Sequence, residues 1–170
     1  MKVDLPVDLH FYSPSQGLLS FKDVVRAIFE FIREEPKYEY RLVVGTDSRD
    51  LQVDPPLQVF VTALVVHRIG FGGRYFWRRT YLRESSDIRG KIYGEAWLSL
   101  QVSQRLMDLL RSYPDNHLSN YRVEIHVDIG NAGPTRALIR EVVGMIENLG
   151  FVAKIKPESF GASRIAHRHT

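Results

Sequence analysis

The sequence predicts an α/β fold in which a five-stranded mixed sheet is flanked by helices, with an extra helix at the N-terminus. Strand-length runs of β-branched and aromatic residues alternate with amphipathic segments of helix length. A glycine-rich stretch, Gly70-Phe71-Gly72-Gly73, separates the second and third runs and predicts a hairpin. Without the N-terminal helix the order is βββ-α-β-α-β-α, which implies a three-strand meander followed by two crossover units.

The N-terminal helix is predicted to begin at Ser20, whose hydroxyl can cap a free backbone N–H, with Asp23 as its capping-box partner. Pro36 ends it. Its apolar stripe is Phe21, Val24, Val25, Ile28, Phe31 and Ile32. We expect a single domain over residues 1–170, to which residues 1 to about 36 add a helical extension.

Three strands and a long helix are predicted next. The first strand runs through Asp47, residues 50–56 form a loop, and residues 57–66 and 74–82 form the hairpin. Residues 88–111 have helical periodicity. The buried positions predicted for this helix are Ile92, Ala96, Ser99, Ser103, Leu106 and Leu110.

The remaining elements follow a fourth strand that ends at Asp128. Gly133-Pro134 is predicted to open another helix and Gly150 to cap its end. Residues predicted to pack this helix are Leu138, Ile139, Val142, Val143, Ile146 and Leu149. A short fifth strand over residues 151–155 and a last helix over residues 159–167 complete the chain.

The composition indicates an ordered protein, with 44% hydrophobic and 25% charged residues. The absence of cysteine excludes disulfides, thiolate zinc sites and a cysteine nucleophile. No apolar run approaches a membrane span and the N-terminus lacks a signal peptide's apolar core, so we expect a cytoplasmic protein with no membrane partner. A net charge of +3 permits a polyanionic partner without identifying one.

Three carboxylates lie where a carboxylate is unfavourable for packing. Asp47 and Asp128 each end an apolar run, and Glu95 lies about 60° from the centre of its helix's buried stripe, facing the sheet. A buried acid is costly unless it is paired or bound to a cation, and α/β sheets place their sites at strand ends. If the three meet, a divalent metal neutralises them most simply, and their order indicates metal-dependent phosphodiester chemistry.

Each of the three acids also has a structural alternative. Asp47 and Asp128 precede residues typical of turns, in which an aspartate binds its own following backbone. Glu95 could form an ion pair with Arg89, with Lys91 or with an arginine distant in sequence.

The chain resembles the YkuK-like family of small bacterial proteins, which are described as ribonuclease H-like. The resemblance spans nearly the whole chain and is carried by FYSPSQGLLSFKDVVRAIFEFIREEP, VVGTDS, KIYGEAWLS, VEIHVDIGNAG and AKIKPESFGASRIAHRHT. The last stretch is long and unusual enough to be specific, whereas GTDS alone is weak. The resemblance implies a ribonuclease H-like fold and an active site of Asp47, Glu95 and Asp128, with a fourth metal ligand from the last helix.

His167 stands in the last helix where many relatives carry an acid, and it is the expected fourth ligand, with an ordinary surface position as the alternative. Histidine suits Mn²⁺ better than Mg²⁺, so the expected cofactor is Mg²⁺ or Mn²⁺. By hypothesis, Asp47 bridges two ions, Glu95 and Asp128 each bind one, and His167 completes the set.

Neighbouring side chains have secondary interpretations. We expect His169 to lie at a frayed, solvated end and His126 to make a structural hydrogen bond. Candidates for lesser roles are Ser48 and Asn131 for orienting water or phosphate, Gly45 and Gly130 for close backbone approach, and Glu158 as a fallback ligand.

Residues 74–81 mix arginines with aromatic residues. This pattern predicts either a nucleic-acid surface or, as the favoured interpretation, an edge strand whose arginines block edge-to-edge association. Basic residues better placed to meet a phosphate backbone are Lys154, Lys156, Arg89 and Lys91.

The leading hypothesis is a divalent-metal-dependent nuclease acting on RNA or DNA. The alternative is a nucleic-acid-binding protein on the same scaffold without catalysis. A phosphotransferase related to the two-domain actin-like ATPases is disfavoured, because the sequence has no glycine-rich phosphate loop.

Overall fold

The computed structural model describes residues 5–83, 86–113, 121–130, 135–159 and 161–170. Its strands are β1 (His10–Ser13), β2 (Gly17–Ser20), β3 (Tyr40–Leu51), β4 (Leu57–Arg68), β5 (Gly73–Leu82), β6 (Tyr121–His126) and β7 (Val152–Lys154). Its helices are α1 (Phe21–Glu34), α2 (Ile88–Arg111), α3 (Ile139–Glu147), which follows a 3₁₀ turn at Arg136–Leu138, and α4 (Gly161–His169). In these ranges no helix has both the length and the apolar character needed to cross a bilayer.

The strands form one mixed sheet in the order β2-β1-β5-β4-β3-β6-β7. β3, β4 and β5 are an antiparallel meander, while β6 lies parallel to β3 and β7 parallel to β6. The predicted meander and crossover units are therefore confirmed. The described sheet has seven strands rather than five.

The two additional strands come from the N-terminal segment, which was predicted to be only helical. β1 and β2 form a hairpin whose turn ends at Gly17, in the left-handed conformation with φ +73°. β1 also pairs with β5, with Tyr12 opposite Trp77, so the prediction of an edge strand at β5 is wrong. Four-residue strands carry too little alternation to be recognised in the sequence.

The helices follow the sequence pattern closely. Ser20 caps α1 by accepting from the Asp23 N–H and by donating its hydroxyl proton to the Asp23 carboxylate. α2 has the predicted bounds, and its predicted inward positions are all buried. Beyond α3, Gly150 has a positive φ of 84°, as expected of a cap, whereas Leu149 is exposed and does not pack as predicted. The predicted helix opening at Gly133-Pro134 lies outside the described residues.

The sheet has two covered faces, and successive residues of β3 alternate between them. Val44 belongs to the core with α1 and α2, while Val43 packs with Ala162 and Ala166 of α4. On the α2 side, the Thr46 hydroxyl is hydrogen-bonded to Ser99. Helices from opposite sides therefore flank the same stretch of β3, which leads to Asp47.

Candidate metal centre

Asp47 lies inside β3 and not at its end, which corrects the predicted position. The apolar run stops there, but β4 continues to pair with β3 from Asp47↔Val61 to Leu51↔Leu57. Pairing with β6 on the other side ends at Gly45↔His126. Asp47 and Asp128 each lie two residues beyond that last parallel pair, so the polar end of β3 is exposed on the β6 side.

Asp47 is held by the C-terminal helix. Its Oδ2 lies 3.1 Å from Nδ1 of His167 and accepts a 2.9 Å hydrogen bond from the Thr170 hydroxyl. The carboxylate is largely buried, with 17% of its side chain exposed, whereas the His167 side chain is 83% exposed. Asp47 thus binds across the fold to α4 and not to its own backbone. Thr170 was not predicted, because its contact depends on where α4 docks.

Gly45 explains how α4 comes so close to β3. A Cβ at this position would lie 2.9 Å from the Ala162 Cβ and 3.3 Å from the Ser163 backbone nitrogen. The close backbone approach predicted here is made by α4 itself. At Gly130 the nearest atom would be the Lys156 Cδ at 4.0 Å, which leaves that position open.

Glu95 reaches the sheet from α2 and accepts a 2.6 Å hydrogen bond from the Ser48 hydroxyl. The pKa of Glu95 is raised to about 8, mainly by burial and also by the negative charges of Asp47 and Asp128, against the opposing effect of the Ser48 hydrogen bond. The fold therefore brings Asp47 and Asp128 within electrostatic reach of Glu95.

The alternative ion pairs considered for Glu95 are wrong. Arg89 donates to Glu141 at 3.1 Å, and Lys91 binds Asp50 at 2.5 Å. Ser48, predicted to orient a water or phosphate, instead orients this acid.

Asp128 follows β6 and forms an ion pair with Lys156, whose Nζ lies 2.7 Å from its Oδ1. Its side chain is 35% exposed. Glu158, the fallback ligand, forms a similar ion pair with Lys154 at 2.8 Å. All four cations expected to meet phosphate thus have acidic partners: Arg89, Lys91, Lys154 and Lys156. Asn131 lies outside the described residues.

The remaining histidines have structural contacts. His126 is buried with its Nε2 3.1 Å from Glu124, as predicted, and desolvation lowers its pKa despite that neighbour. The prediction for His169 is wrong: its ring stacks on Trp77 with centroids 4.2 Å apart, and its carbonyl accepts two hydrogen bonds from Arg79. Burial lowers the pKa of the His169 ring most, and the positive charges of Arg79 and Arg168 lower it further. Docking on the sheet holds this chain end in place.

The acids supply hard oxygen donors of the kind that Mg²⁺ and Mn²⁺ prefer. Burial raises the pKa of Glu95 most, and the charges of Asp47 and Asp128 add to this effect, so a cation at this position would favour the ionised carboxylate. In the described part of the chain, however, no three Asp, Glu or His side chains are arranged to hold a metal ion. Asp47 is turned to α4 and Asp128 to Lys156. The donor types fit a divalent cation, and binding one requires these carboxylates to turn.

Comparisons with known proteins agree with this architecture. A family model described as ribonuclease H-like matches residues 23–170, so the match begins within α1 and leaves the β1–β2 hairpin outside. The chain is 34% identical over 172 residues to the uncharacterized protein YkuK of Bacillus subtilis (strain 168), covering 94% of this chain and 96% of that protein. No solved structure matches it significantly. The chain therefore belongs to the ribonuclease H-like family.

Proposed function

We propose that the protein is a divalent-metal-dependent nuclease that hydrolyses phosphodiester bonds of RNA or DNA. The placement of the acids supports the proposal, because Asp47 in β3 and Asp128 after β6 both lie near enough to the buried Glu95 of α2 to raise its pKa. Clustering three acids costs folding free energy that a bound cation would offset. Membership of a ribonuclease H-like family supports a nucleic-acid-related role for the same fold.

The residues that would hold Mg²⁺ or Mn²⁺ are Asp47, Glu95, Asp128 and His167. Two such ions, when bound, supply an activated water and charge stabilisation at the leaving oxygen.

Three further side chains contact the acids of this site. Ser48 fixes the Glu95 carboxylate through its 2.6 Å hydrogen bond, and Thr170 holds Asp47 from the opposite face of the sheet. Lys156 keeps a positive charge beside Asp128, where an incoming phosphodiester oxygen would be stabilised.

A second candidate function is nucleic-acid binding without catalysis. It is favoured by the protein partners that Asp47 and Asp128 already have, since an acid bound to α4 or to Lys156 is less available to a cation. Such a protein would bind nucleic acid without added metal and would not cleave it.

Cleavage assays with single-stranded, duplex, hybrid and branched substrates in Mg²⁺, Mn²⁺ or EDTA distinguish the two functions. We expect metal-dependent cleavage that Asp47→Asn reduces by about 100-fold or more, because the substitution removes a charged ligand while keeping the side chain's shape.

Asp108→Asn is the matched control. Asp108 is an exposed acid on α2, about 20 Å along the helix from Glu95, and its loss should leave cleavage unchanged. Equal activity of the wild type and Asp47→Asn, or metal-independent binding with no cleavage, contradicts the nuclease.

A further inference from the structure

The sheet face beneath α4 extends beyond that helix, across β5, β1 and β2. In register, Ala63 lies opposite Trp77, Trp77 opposite Tyr12, and Tyr12 opposite Leu18. α4 covers the Ala63 end. At the other end Tyr12 and Leu18 are exposed, at 48% and 57%. An open face thus adjoins the covered one.

Three rings form a stacked aromatic row that leads from this open face to the candidate metal centre. Tyr12 and Trp77 have centroids 5.0 Å apart at 24°, and Trp77 and His169 have centroids 4.2 Å apart at 10°. The residue after His169 is Thr170, whose hydroxyl donates to Asp47. The aromatic row of Tyr12, Trp77 and His169 therefore ends at the residue before Thr170, which is hydrogen-bonded to Asp47.

Arg79 supplies a positive charge on the same face. Its guanidinium lies 5.0 Å from the Trp77 ring centroid and donates to the His169 carbonyl, and among the described residues it forms no ion pair with a carboxylate. Arg79 lies opposite Val61 and Val61 opposite Asp47, which places Arg79 about 10 Å from Asp47 at the usual strand spacing.

A second exposed ring lies farther along β5. Tyr81 is 53% exposed and, by strand alternation, shares the face of Arg79. An open cavity of about 390 Å³ has Tyr12, Arg79 and Tyr81 in its lining. Asp8 also belongs to this lining. The surface therefore offers two exposed rings beside Arg79, whose hydrogen bonds go to the His169 carbonyl.

We propose that this surface binds the unpaired bases of single-stranded nucleic acid and leads its backbone to Asp47, a proposal that rests on the nuclease function above. Bases of a single strand present their faces for stacking on aromatic rings, while an arginine attracts the phosphates between them. A duplex buries those faces in its own stack. The surface thus selects a single strand, or a single-stranded branch, over a continuous duplex.

Binding of a labelled, mixed-sequence single-stranded oligonucleotide, measured by fluorescence anisotropy in EDTA, tests the proposal without cleavage. We expect tighter binding than to a duplex of the same sequence. Tyr12→Ala and Tyr81→Ala should each weaken it by roughly 5- to 150-fold, the effect of losing one base–aromatic stack. Tyr12→Phe keeps the ring and should keep the affinity, which separates stacking from loss of fold.

Phe71→Ala is the control, because Phe71 is an aromatic residue 62% exposed in the β4–β5 turn, outside this surface. Its loss should not change binding. Arg79→Gln should weaken binding and reduce the salt dependence by about one ion. Unchanged single-strand affinity in both tyrosine variants overturns the proposal, as does concentration-dependent self-association that the same variants abolish while no oligonucleotide binds.

The two proposals fail separately. Suppose that cleavage requires metal and Asp47, while Tyr12→Ala and Tyr81→Ala change neither single-strand binding nor KM. The proposed binding surface is then wrong and the nuclease proposal stands. If both tyrosines are needed for single-strand binding and nothing is cleaved in Mg²⁺ or Mn²⁺, the nuclease is wrong and the binding surface stands.

Discussion

Glu95 and Ser48 define the site at the scale of single residues. Ser48 donates to a carboxyl whose pKa is raised to about 8 by burial and by two neighbouring acids. At neutral pH and without a cation this carboxyl is therefore mostly protonated. The surroundings of Glu95 therefore favour the protonated carboxyl unless a cation binds beside it.

Replacing Glu95 with glutamine tests this protonation. The unfolded carboxyl titrates near 4.5 and the folded one near 8, so the stability that Glu95 provides below pH 4.5 is lost as the pH rises through 8. Relative to Glu95→Gln, the wild type should lose on the order of 2–4 kcal/mol over that window, since one pKa unit equals about 1.4 kcal/mol and partial exposure screens the shift.

Urea unfolding of both proteins in EDTA at pH 4.5, 6.5 and 8.5 measures the difference. A difference in unfolding free energy that does not change with pH would show that Glu95 titrates normally.

The three acids could be identified from sequence because each interrupts an apolar pattern. Their partners could not, since the contact of Asp47 with Thr170 depends on the docking of α4 and on the glycine beneath it. His169 was misjudged for the same reason, because a terminal residue has no local signal for stacking on Trp77.

At the scale of elements, the fit between β3 and α4 determines the site. Gly45 allows α4 to lie against the strand, and α4 then brings His167 and Thr170 to Asp47. Capping and periodicity were enough to predict α1 and α2. The β1–β2 hairpin and the continuation of β3 past Asp47 were missed, because pairing with a partner strand defines them rather than local pattern.

A methyl group added at Gly45 should separate these elements. Gly45→Ala places a Cβ 2.9 Å from the Ala162 Cβ and should lower the free energy of unfolding by about 1–3 kcal/mol through overpacking. In Gly144→Ala the new Cβ meets nothing within 4 Å in α3, so this control should raise stability by about 0.5–1 kcal/mol. Chemical denaturation of both variants checks the opposite signs, and a neutral Gly45→Ala would mean that α4 packs more loosely.

At the scale of the whole molecule, the sheet positions the candidate site and also offers an open surface. Its centre carries the acids between α2 and α4, and its outer strands present Tyr12, Arg79 and Tyr81 to solvent. The order of elements predicted the mixed sheet, but Asp47 lies inside β3 rather than at a strand end. A nucleic-acid surface on β5 was considered from the sequence but not favoured, and the part that Tyr12 contributes could not be predicted, since it depends on the pairing of β1 with β5.

Calorimetric titration of Mn²⁺ into the protein at pH 7, in buffers of different ionisation enthalpy, tests the central claim most directly. Metal ligands must be deprotonated, so binding at a site containing Glu95 should release roughly 0.9 proton from a carboxyl whose pKa is about 8. Glu95→Gln should abolish this release, and Asp47→Asn should weaken the binding. Absence of saturable Mn²⁺ binding, or proton release that persists in Glu95→Gln, would contradict a metal centre formed by these acids.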